Sequence, residues 1–142
     1  MEDAEILWRE GRVEAALLMA LVAASATARR KYPECKKDRE GFERLLLDAR
    51  RWRLSLEFRG EQVPVEQLLW KWFRCELVHE AGLPVGITLT PIHVGEGLSA
   101  RAGGAPTYEL RLSQAWLHHV LDVVIYDPVN RDLFPNGWRE SV

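Results

Sequence analysis

The stretch from Pro64 to Gly82 constrains this chain most. Val65, Leu68, Leu69, Trp70, Trp72, Phe73 and Leu77 recur so closely that a helix drawn through them keeps only a narrow polar sector. A helix that is apolar nearly all round belongs at the centre of a fold, wrapped by its own chain alone or by its own chain together with a second subunit. Pro64 suits the first helical position, and Gly82 followed by Pro84 is a strong stop.

The remaining segments supply the wrapping. A first helix is predicted from Asp3 to about Arg29, with a kink at Gly11. Val13, Leu17, Leu18, Leu21, Val22 and Ser25 recur at helical spacing, and the interleaved alanines allow a neighbour to approach closely. Arg29, Arg30 and Lys31 favour a helix C-terminus, and Pro33 ends it. A second helix fits Asp38 to Arg53, with Phe42, Leu45, Leu46 and Ala49 as its stripe. Leu54 to Phe58 alternates as a short strand or extended linker, and Arg59-Gly60-Glu61 turns. Residues 83–94 and 107–112 lean toward β-structure around a glycine-rich segment, Gly95–Ala105, which reads as a mobile hairpin loop. Ser113 is expected to cap a last helix running to about Tyr126, buried through Trp116, Leu117, Val120, Leu121, Val124 and Ile125. A tail through Phe134 and Trp138 is expected to pack back. The predicted fold is one domain over residues 1–142, mainly α: a bundle of about four to five helices with a small β-hairpin insertion.

Composition excludes several classes. Two cysteines, Cys35 and Cys75, make no disulfide framework, and no Cys/His spacing suits zinc, so neither metal nor cofactor is expected. The longest near-continuous apolar run, Ala15 to Ala26, falls short of the ~20 residues that span a bilayer. It also follows Glu2, Asp3, Glu5 and Glu10, the wrong flank for a signal peptide, so a cytoplasmic protein without a membrane partner is expected. The net charge of -2 argues against a dominant polyanion-binding field, yet residues 29–53 hold ten Lys or Arg against five Asp or Glu. That local excess suits either a solvated helix face or a nucleic-acid surface.

Arg74 and His79 stand out on the central helix. On a regular wheel they lie about 140° apart and ~7.5 Å along the axis, with Lys71, Cys75 and Val78 in the arc between them. A guanidinium can hold a phosphate in a fork of donors, and an imidazole can move a proton near neutral pH. The bland readings are a core histidine and an arginine anchored on a carboxylate such as Glu57 or Asp48. Cys75 and His79, at i and i+4, would also allow a thiolate nucleophile, although a mid-helix cysteine is usually packing. His118 and His119 point about 100° apart, which suits surface residues better than a shared metal. The Gly95–Ala105 loop lacks the lysine and threonine of a P-loop.

The run Arg74-Cys75-Glu76-Leu77-Val78-His79, closed by Glu80-Ala81-Gly82 and preceded by an alanine-rich first helix, resembles the HEPN superfamily. The resemblance implies a four- or five-helix bundle whose Arg-x4–6-His motifs line a cleft shared by a homodimer. It implies metal-independent endoribonuclease activity of a toxin or defence type, in some members lost, and an antitoxin or other protein partner. Within it, Arg74 would stabilise the transition-state phosphate and His79 would act as general acid or base. Lys71, Arg50, Arg51 and Arg53 would hold neighbouring RNA phosphates, and Trp52 or Trp70 would stack a base. The residue after the arginine is often asparagine in that superfamily and is Cys75 here. The alternative is a catalytically inactive bundle that binds a partner protein or nucleotide, or a structural subunit of an oligomer.

Overall fold

The structure is a computed structural model that describes residues 1–93, 95, 97–104 and 109–135. The predicted first helix is two helices, α1 (Glu2–Arg9) and α2 (Val13–Lys31). Gly11 takes φ +77 between them, a left-handed conformation that breaks the helix rather than bending it. Ala16, Ala20, Ala24 and Ala28, four residues apart, are at most 1% exposed. This small-residue stripe lets α2 sit at the centre, in contact with every other helix.

Helix α3 (Asp38–Asp48) ends before Arg53 because Arg50 folds back, its Nε donating to the Leu46 carbonyl at 3.0 Å. Strands β1 (Ser55–Phe58) and β2 (Glu61–Pro64) then form an antiparallel hairpin. Its two turn residues, Arg59 and Gly60, both have positive φ (53 and 83), the signature of a type I′ turn.

Pro64 leads into α4, a continuous helix over residues 65–80. It begins as Val65–Leu68, widens to a π-helical stretch over Leu69–Cys75, and closes as Glu76–Glu80. Bonds from i to i+5 in that stretch turn the chain less per residue, so a regular wheel does not describe where Trp70 to Arg74 point. Val65, Leu68, Leu69, Phe73 and Leu77 are buried, as their spacing predicts. Ala81, rather than Gly82, takes the left-handed position that ends the helix (φ 56).

The C-terminal half departs furthest from expectation. Strands β3 (Ile87–Thr90), β4 (Ala100–Ala102) and β5 (Leu110–Ser113) form a sheet of order β3-β5-β4. β3 runs parallel to β5 and β4 antiparallel to it, so the flanking strands do not pair as a hairpin. Part of the glycine-rich segment is itself a strand. Ser113 lies in β5, where its Oγ accepts from the Ser99 amide at 3.3 Å, and Gln114 holds the N-cap position of α5 (Ala115–Tyr126) without a side-chain cap bond. All six residues expected on the buried side of α5 are buried, with Val123 added. A short 3-10 turn, Pro128–Asn130, follows, and Phe134 packs on the core. Trp138, expected in the packed tail, lies outside the described residues.

The expected helical bundle with one hairpin insertion is therefore corrected to a mixed α/β fold: the described residues form five helices and two sheets with five strands, and are 53% helical and 15% strand. Local pattern predicted the helices. In the second sheet β3 pairs with β5, Ile87 opposite Leu110, and β4 turns back onto β5, pairings that no local periodicity records. Among the described residues no helix is long and apolar enough to cross a membrane.

Candidate functional site

The β1–β2 turn and the π-helical stretch of α4 meet at Trp72. Phe58 packs its edge against the Trp72 ring, centroids 5.1 Å apart. Arg59 is held at the turn so that its guanidinium carbon lies 4.6 Å from the Trp72 centroid and 5.0 Å from that of Phe58. Lys71 brings its Nζ to 4.8 Å from the same Trp72 ring. These groups, with Arg39 and Gln67, line a groove of about 340 Å³. Glu61 lies in the same groove, and Arg39 is paired with Glu43 at 2.6 Å, so Arg59 and Lys71 carry the groove's positive charge that is unpaired among the described residues. An indole with two cations drawn over its ring combines an aromatic face with phosphate-binding charge. A wider cleft of about 700 Å³ near Gly11, Leu18 and Leu77 is lined mainly by apolar groups, with Arg12 and Glu14 its charged members.

The predicted catalytic pair is not brought onto a common partner. Arg74 is half-buried, its Nε donating to Ser25 Oγ at 2.9 Å, and its guanidinium stacks 4.3 Å from the Trp70 centroid. It anchors α4 to α2 through a hydroxyl, not through Glu57 or Asp48. Trp70 lies four residues before it, so the guanidinium is turned toward the start of the helix. His79 lies five residues the other way and is exposed in the last turn. Cys75 is a half-buried free thiol. His118 packs edge-on against Trp8 (4.6 Å) and His119 against Trp116 (5.6 Å), so both are built into the aromatic core rim rather than solvated. Among the described residues no three His, Cys, Asp or Glu side chains gather where a metal ion could be held.

The four predicted RNA contacts separate. Lys71 lines the groove, and Arg51 and Arg53 are exposed. Arg50 is not: its side chain is 2% exposed and pairs with Glu66 at 2.7 Å. It also stacks 5.0 Å from the Trp52 centroid, and its Nη1 has no hydrogen-bond partner among the described residues. The same holds for Nε2 of His119, whose pKa is pushed down by burial and then by the Arg50 charge, with Asp122 opposing. Arg39 and Arg59 were missed by sequence reasoning. For Arg59 a signal existed, since a charged residue before glycine at a hairpin tip is presented outward next to Phe58.

A family model matches residues 2–136, the Rv1289 family. The chain belongs to the Rv1289 family. No curated protein and no solved structure matches it. Nothing in the Rv1289 match connects the chain to the HEPN superfamily.

Proposed function

We propose that this Rv1289-family chain binds single-stranded RNA, with Trp72 as the stacking platform and Lys71 and Arg59 as the phosphate contacts. The observation that carries the reading is the pair of cations within 5 Å of one indole centroid at the mouth of a groove. A base stacked on an aromatic ring contributes roughly 1–3 kcal/mol with little regard to sequence. The test is fluorescence anisotropy of a labelled single-stranded RNA across a salt series. Trp72→Ala is expected to weaken binding about 5- to 150-fold. Lys71→Ala is expected to flatten the salt dependence by about 0.7 in log–log slope. Wild-type protein that leaves the anisotropy unchanged at low salt, or a Lys71→Glu variant that binds as wild type does, overturns it. The free thiols of Cys35 and Cys75 fit the reducing cytoplasm in which such a ligand is met.

A second reading, metal-independent RNA cleavage by Arg74 and His79 in a homodimer, is favoured by the exposure of His79. Incubation with mixed RNA and EDTA tests it. Cleavage lost in both His79→Ala and Arg74→Ala supports it, whereas intact RNA, or equal cleavage in all samples, rejects it.

A further inference from the structure

The outer face of the three-stranded sheet carries a feature unrelated to the Trp72 groove. Leu110 and Leu112 of β5 turn into the core and are fully buried, so Arg111 between them projects from the opposite face. The β4–β5 register places Arg101 directly across from Arg111. Two like charges facing each other across a ladder repel and destabilise the pairing. Around them Thr90, at the end of β3, His93, and Ser99, just before β4, complete a pocket of about 180 Å³. Glu109 reaches Arg111 Nη2 at 3.0 Å, but both side chains are about half exposed, and such a pair contributes little. Thr90 Oγ1 makes only a long contact, 3.4 Å, to the Leu112 carbonyl, leaving the hydroxyl easily redirected.

We propose that this pocket binds a phosphoryl group, with Arg101 and Arg111 as paired forks and the Ser99 and Thr90 hydroxyls and His93 as further donors. Guanidinium forks match the geometry of phosphate oxygens, and the anion relieves the repulsion between the opposed arginines. The room, about half that of the Trp72 groove, suits a phosphoryl group rather than a stacked base. The group is supplied either by free phosphate or by the end of a nucleic acid.

Thermal unfolding of the full chain, with inorganic phosphate titrated against chloride at matched ionic strength, tests the assignment. Phosphate is expected to raise the midpoint saturably in wild type and in Lys71→Ala, and not in Arg101→Gln or Arg111→Gln. In phosphate-free buffer Arg101→Gln is expected to unfold about 1–3 °C higher than wild type, because one of two opposed charges is gone. The variants thus reverse their order on adding phosphate, which a merely damaged fold cannot do. A second arm compares RNA bearing a 5′-phosphate with the same RNA bearing a 5′-hydroxyl. Stabilisation by the phosphorylated RNA but not by inorganic phosphate, lost in Arg101→Gln, assigns the source as nucleic acid. Absence of a saturable effect from either source, or its persistence in Arg101→Gln together with Arg111→Gln, overturns the proposal.

Discussion

Among the described residues three arginines stack on tryptophan, and two of them, Arg50 and Arg59, do opposite things. Arg50 lies 5.0 Å from the Trp52 centroid and Arg59 lies 4.6 Å from that of Trp72. Arg50 is sealed behind α3, with Glu66 neutralising it at 2.7 Å. Arg59 stands at a hairpin tip over an open groove beside another cation. The ring contact is the same; burial and the presence of a carboxylate differ. A guanidinium removed from water and paired is a structural element whose loss strands its partner. One left in water beside an aromatic face keeps its donors for a ligand.

The contrast breaks most visibly at Arg50. Arg50→Ala is expected to lower stability by about 3–5 kcal/mol in chemical denaturation, because the Glu66 carboxylate is left largely buried and unpaired. Arg50→Met combined with Glu66→Leu should recover most of that loss. A loss below about 1 kcal/mol for the single variant would put Arg50 in the same class as a surface residue.

Arg59→Gly should move in the reverse direction. A side chain at φ +53 is strained, and glycine relieves it, so the variant is expected to gain about 0.5–1 kcal/mol of stability. It should nevertheless bind single-stranded RNA more weakly, which pairs denaturation with anisotropy as the readout. A stabilised variant with undiminished affinity would remove Arg59 from the site. Ala81→Gly is the control: its φ of 56 predicts a similar gain, with RNA affinity unchanged.

The smallest expected effect is the acid response of the buried region. Burial, then the Arg50 charge, hold the His119 pKa below its ordinary value of 6.5. Below that pH the unfolded chain takes up the proton before the folded one does, so the stability associated with the neutral ring is complete above 6.5 and declines as pH falls. His119→Gln should flatten this slope in a melting series, and a slope identical to wild type would show that other groups set it.

Elements whose residues report on themselves were legible. The buried sides of α4 and α5 followed from apolar spacing, and Arg59-Gly60 announced its turn. The ends of α3 and α4 did not, because Arg50 competes for the last carbonyls of α3 and Ala81 accepts a strained conformation. Nor did the three-stranded sheet: β3 meets β5 in parallel, and β4 arises inside a glycine-rich segment that shows no alternation. Of the basic residues named for RNA, Lys71 lines the groove and Arg50 does not, although in sequence Lys71 has apolar neighbours while Arg50 stands beside Arg51 and Arg53.

The amino-acid sequence alone determined which stretches are helical to within their ends, which faces of α4 and α5 are apolar, and that α4 must be central, because these depend on side chains a few residues apart. Tertiary structure decided which arginine is buried, where Arg74 points, and that Arg101 faces Arg111. Those outcomes depend on partners distant along the chain: Glu66 for Arg50, Ser25 for Arg74, and a strand pairing for the two opposed guanidiniums. A charge acquires its role from the dielectric and the counter-charge around it, and both are assembled only when remote segments pack.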